Sequence, residues 1–376
     1  MTAARHKSKK GSELKMEIKE KIHGIDALRI LSMFMVFILH ILNVGGVLNA
    51  AGIFSIQYEL AVLLNIATFC AVNVYALISG YVWVNAKYRF RNIIELWLQV
   101  LFYTVLITAI FWIFSPSSVS LKVLVKSFFP VMFNQYWYFS SYFALFLFIP
   151  LLNIIVEKTE KKQLLIFLGI ILFFVSCVQT LFHSDAFCTN DGYSAIWLMI
   201  LYLVGGYIRK YEPGKNVKPA WFLIGFLIMI CLTWLSKLCI ELLTVKVLGH
   251  AYGGNYLVRD ISPTILMSAI FLVLFFSRLN ISAFFKKAIS LLAPMSFGVY
   301  LIHVHPLVFC DVLTDRFVGY AELPWILELL AVLGTAAAIY IICSLIDFVR
   351  LQLFKLLRVR KNLDSLENRI RMRISK

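Results

Sequence analysis

Polar and charged residues divide the chain into ten long apolar runs, at about 27–48, 59–85, 92–114, 137–156, 163–183, 194–209, 219–243, 261–277, 288–311 and 325–349. Nearly all are long enough to cross a hydrocarbon core of about 30 Å as a helix, with 194–209 on the short side. Backbone N–H and C=O groups find no water inside lipid, so each run predicts an α-helix that bonds its own backbone. The fold class expected is all-α: a polytopic integral membrane protein of about ten transmembrane helices. A basic tail over 1–23 precedes the membrane domain, 24–349. The basic segment 350–376 follows it, with Leu351, Leu353, Phe354, Leu356 and Leu357 set among charges. That pattern suits a helix running along the membrane surface. No internal repeat, Pro/Ser-rich linker or appended soluble domain is visible.

Composition supports this reading: 61% of residues are hydrophobic and 15% charged, against about 25% charged in a soluble domain. The net charge of +16 would suggest nucleic acid in a soluble protein. Here the charge lies between apolar runs, so no nucleic-acid partner is expected and the bilayer is the main one. Of the 36 Lys and Arg residues, 29 fall in segments on the N-terminal side of the stack, six fall on the other side, and Arg29 lies inside the first run. The excess alternates at every loop, which places both termini in the cytoplasm. The first run is too long for a signal peptide and reads as a retained span. The seven cysteines form no CxxC pair, and no metal site is expected. Cys188 and Cys310 fall in predicted outer loops and could pair by topology, with no further sign of it.

Ionisable residues inside apolar runs are costly, and each is a functional candidate. Arg29 and His40 are eleven positions apart, which puts them on one face of a helix and about 16 Å apart along its axis. Snorkelling, or pairing with Asp26 at i,i+3, would also account for Arg29. A structural interhelical hydrogen bond would account for His40. Counting helical rise, His303 in the ninth run reaches about the depth of His40, so the two could share a pocket. Glu59, Trp137, Tyr138, Tyr142, Asp260 and Ser262 fall at that outer level. Arg29, Ser79, Gly80, Lys87, Arg89 and Arg91 fall at the inner level. The pattern is a basic inner mouth and a histidine-containing outer site.

Four stretches in order carry a family resemblance. The first span, GIDALRILSMFMVFILH, has a basic residue, ten others and then His. The second contains NVYALISGYVW, the fourth YWYFSSYFALFLFIPLLN and the ninth SFGVYLIHVHPL. Over about residues 22–350 the chain resembles the acyltransferase 3 family of membrane O-acyltransferases, of the surface-glycan type without a fused extracytoplasmic domain. It departs from the family's Arg-x-x-Arg element, since Lys87, Arg89 and Arg91 stand at other spacings.

The resemblance implies transfer of an acyl group, usually acetyl from cytoplasmic acetyl-CoA, to a hydroxyl of a cell-surface glycan or lipid-linked glycan. The expected setting is a bacterial cytoplasmic membrane, with a separate extracytoplasmic partner as one route for the transfer. His40 would act as general base or as a transient acyl carrier, with Arg29, Tyr300 and His303 assisting. Arg29, Ser79, Lys87, Arg89 and Arg91 would receive the donor. Glu59, Trp137, Tyr138 and Tyr142 would meet the acceptor. A secondary transporter exporting a glycan or small metabolite is the other reading. It shares the spans and the buried His, but the sequence shows neither paired broken helices nor internal symmetry.

Overall fold

The computed structural model describes residues 22–374, and helices are its only regular secondary structure there. The expected basic tail lies outside the described residues except for Ile22 and His23. Ten helices coincide with the ten apolar runs. They are α1 (His23–Leu42), α2 (Ile56–Trp83), α3 (Phe90–Phe114), α4 (Trp137–Lys158), α5 (Lys161–Phe182), α6 (Ala195–Tyr211), α7 (Pro219–Leu248), α8 (Pro263–Phe276), α9 (Ala283–His303) and α10 (Trp325–Leu356). Eight are long and apolar enough to cross a membrane. The 17-residue α6 and 14-residue α8 are shorter. A further helix, α11 (Val359–Ile374), follows a break at Arg358, whose φ is 52°.

Among the long helices α1 and α2 are the most enclosed and α7 the least. α1 packs against α2, α8 and α10, and α6 lies along the inner half of α2. Glycines make that last contact possible. A Cβ on Gly80 would fall 1.9 Å from the Tyr202 carbonyl oxygen, and one on Gly205 would fall 2.1 Å from that of Leu77. Small residues of this kind let two backbones approach closely in lipid, where van der Waals packing drives association.

Several spans are interrupted, which the hydrophobic pattern did not reveal. α2 pauses at Cys70, where ψ is 0°; no proline or glycine explains this. α9 tightens to a 3-10 turn at Ala293–Met295, where Pro294 lacks an N–H to donate. The end of its run separates beyond His303, and Pro306 starts a further short turn. All seven cysteines are free, so Cys188 and Cys310 do not pair. In the outer loop after α5, partial burial opposes ionisation of Asp185. Hydrogen bonds from the Thr189 hydroxyl, the Asn190 and Thr189 N–H groups and the Gln179 amide outweigh it and hold the carboxyl below its ordinary range.

Candidate functional site

α1 brings Arg29 and His40 onto one face, as an uninterrupted helix must. Arg29 is partly buried and donates from Nη1 to Asp26 Oδ1 at 2.9 Å. Its backbone carbonyl accepts a hydrogen bond from the Tyr75 hydroxyl at 2.8 Å, which ties α1 to α2. His40 stands in the last turn of α1. Its ring meets that of His303 from α9, with centroids 5.2 Å apart, and the edge of Phe309 at 5.1 Å.

His303 is fully enclosed. Phe37, one turn before His40, covers its ring at 3.9 Å between centroids. Its Nδ1 lies 2.9 Å from the Val299 carbonyl oxygen, which only accepts, so Nδ1 carries the proton. In the neutral ring Nε2 then keeps the lone pair. That Nε2, His40 Nδ1 and the Tyr300 hydroxyl are buried without a protein partner. The three rings adjoin one another beside the outer cavity.

Two cavities follow α1 across the bundle. The outer one, about 340 Å³, is lined by His40, Tyr75, Trp137, Tyr138, Phe297 and Tyr300, with Cys310 at its edge. The inner one, about 250 Å³, is lined by Arg29, Tyr75, Ser79, Tyr138, Tyr142 and Phe297. The structure thus gathers Arg29 with Ser79, and His40 with Trp137, Tyr138 and Tyr300. His303 backs His40 without lining either cavity.

Other candidates sit elsewhere. Tyr142 lines the inner cavity and not the outer level expected of it, because one further helical turn carries it about 6 Å inward from Tyr138. Glu59 lines neither cavity; its Oε2 accepts from Trp234 Nε1 of α7 at 2.9 Å. Lys87, Arg89 and Arg91 do not line the inner cavity either. Arg91 is ion-paired with Asp364 of α11, Arg89 approaches the same carboxylate at 3.7 Å, and Arg371 donates to the Tyr88 carbonyl at 3.2 Å. Arg89 and Arg91 are thus held by the C-terminal helix.

The sequence alone does not single out Tyr75 or Phe297, although both line both cavities. A signal existed for each. Tyr75 precedes Ser79 by one helical turn and shares its face. Phe297 lies between Ser296 and Gly298 in the SFG stretch.

A family model described as an acyltransferase domain, that of the acyltransferase 3 family, matches residues 22–346. No curated protein and no solved structure matches the chain.

Proposed function

The chain belongs to the acyltransferase 3 family, and from that premise we propose a membrane O-acyltransferase that moves an acyl group, acetyl by preference, from cytoplasmic acyl-CoA to a hydroxyl of a cell-surface glycan or lipid-linked glycan. The setting proposed is a bacterial cytoplasmic membrane. One observation carries the reading: a single helix presents Arg29 to an inner cavity and His40 to an outer one.

In this reading the donor enters from the cytoplasmic side. Arg29 is the cation that lines the inner cavity, and guanidinium groups suit phosphate oxygens. The pantetheine arm extends through the inner cavity past Ser79 and Tyr142 and delivers the thioester to His40. His40 takes the proton of the acceptor hydroxyl as that oxygen attacks the thioester carbonyl. An ester forms, the C–S bond breaks, and the proton passes to the departing thiolate. In the covalent variant one ring nitrogen of His40 attacks the thioester carbonyl, the C–S bond breaks and the proton of the other nitrogen passes to the departing thiolate. The acceptor hydroxyl then attacks the acyl-imidazole, the C–N bond breaks and the hydroxyl proton returns to His40. Trp137 and Tyr138 offer ring faces to a sugar. The acceptor is either the glycan itself or a separate extracytoplasmic partner that completes the transfer.

The test uses purified protein in nanodiscs with radiolabelled acetyl-CoA and a panel of glycans, beside a His40→Ala variant. Transfer by the native chain and its loss in the variant are expected. Transfer that persists unchanged in the variant defeats the mechanism. No CoA binding at all favours the glycan exporter. Label retained on the native protein without acceptor, and absent from the variant, selects the covalent route.

A further inference from the structure

Tyr75, Tyr138 and Phe297 come from α2, α4 and α9, and each lines both cavities. They therefore occupy the boundary between the cytoplasmic chamber of Arg29 and the outer chamber of His40. We infer that these three rings form a collar that closes the passage without donor, parts for a slender acyl-pantetheine arm, and sets the length of acyl chain admitted. The specificity part rests on the acyltransferase reading; the closure does not.

The rings differ in how firmly they are held. Tyr75 is anchored by its hydroxyl on the Arg29 carbonyl oxygen, 2.8 Å away. Tyr138 meets Tyr75 edge to face with centroids 6.2 Å apart, and it stacks on Tyr142 at 6.3 Å. Phe297 stacks on Tyr300 at 6.1 Å. One post is thus fixed by a hydrogen bond, while the rings of the other two rest on aromatic contacts that can slide. The helix behind Phe297 begins just after the Pro294 turn, where the backbone ladder is already interrupted.

A seal at this level has a physical purpose. Two chambers in series, one holding Arg29 and the other His40, would otherwise provide a path for protons and ions across the bilayer. Apolar constrictions exclude water by dewetting. The same rings also wall the largely apolar outer chamber that receives the acyl group, and one methylene in an apolar site changes selectivity about 10–200-fold.

Two measurements test this. Cys310 edges the outer cavity and is exposed, whereas Cys70 and Cys343 are buried. In protein with Cys177, Cys188, Cys231 and Cys239 changed to Ser, a membrane-impermeant methanethiosulfonate is applied to one face of sealed vesicles at a time. Cys310 is expected to react from the outer face with the native collar, and from both faces in Phe297→Ala and Tyr138→Leu. Outer-face labelling also verifies that each variant is folded around the cavity. Inner-face labelling through the native collar overturns the closure, as does no inner-face labelling in either variant. In the second measurement, acetyl-, butanoyl- and octanoyl-CoA compete as donors. The octanoyl-to-acetyl ratio is expected to rise at least tenfold in Phe297→Ala, and an unchanged ratio overturns the selectivity. If the native chain transfers from no donor, the acyltransferase reading fails, and thiol labelling alone then decides the closure.

Discussion

His40 and His303 come from helices far apart in the chain, yet their rings face each other at 5.2 Å, with His303 Nδ1 committed to the Val299 carbonyl. Only His40 lines the outer cavity. We therefore propose His303 as a positioning residue that acts through its neighbour. Changing His40 to Ala should lower kcat by about 10²–10⁴-fold, the usual contribution of a general base. His303→Gln keeps a polar group but loses the ring that Phe37 and His40 pack against. It should lower kcat while leaving KM for acyl-CoA unchanged. Steady-state kinetics check this, and a His303→Gln enzyme whose only defect is a raised KM contradicts the assignment.

Gly80 is the middle residue of the Ser-Gly-Tyr stretch, and its place against Tyr202 is a packing requirement. A methyl group there would fall 1.9 Å from a backbone oxygen that cannot move without shifting α6. Gly80→Ala should destabilise the protein by about 1–3 kcal/mol, the range for overpacking. Thermal unfolding in detergent measures this, and an unchanged Tm would show that α2 and α6 separate at little cost.

What the sequence made legible follows from constraints that lipid imposes locally. A hydrocarbon core requires long apolar helices, so the ten runs could be seen without tertiary knowledge. A straight helix dictates its own faces, so the shared face of Arg29 and His40 and the inner position of Ser79 could be read from spacing. Partners from other helices could not. The sequence offers Glu59 to the acceptor because nothing near it in the chain announces its hydrogen bond with Trp234. Arg89 and Arg91 looked free because their carboxylate, Asp364, lies far along the chain. Tyr142 was misplaced by a single turn, a difference that decides its chamber here. The pause in α2 at Cys70 has no local residue signature.

The hold of Asp364 on Arg89 and Arg91 affects the proposed donor site. Its carboxylate occupies cations that would otherwise be available to the phosphates of CoA. Asp364→Ala should lower KM for acyl-CoA severalfold at low ionic strength. The gain should fade with added salt, because charges at a partly exposed site are screened over about 10 Å at 0.1 M. Arg91→Ala should raise KM under the same conditions. Kinetics across a salt series test both, and a KM indifferent to Asp364 would remove this cluster from donor recognition.

Asp347 and Arg350 of α10 form a buried pair beside the stretch of α9 that carries Tyr300 and His303. Arg350 donates from Nε to Oδ1 at 2.9 Å and from Nη2 to Oδ2 at 2.7 Å, and the Tyr103 hydroxyl adds a bond of 2.7 Å. A Cβ on Gly298 would lie 1.8 Å from the Asp347 carboxylate, so α9 rests directly on the pair. Removing one partner strands a charge where water is scarce, which costs about 3–5 kcal/mol in buried pairs, whereas replacing both by apolar groups is often near neutral. Asp347→Ala alone should therefore lower the Tm sharply, and adding Arg350→Met should restore most of it. A double-mutant cycle by thermal unfolding measures the coupling. Additive losses would mean that the two residues stabilise α10 independently. Strong coupling with activity recovered in the double variant would show that α9 needs a filled and neutral support behind Gly298, and not the charges themselves.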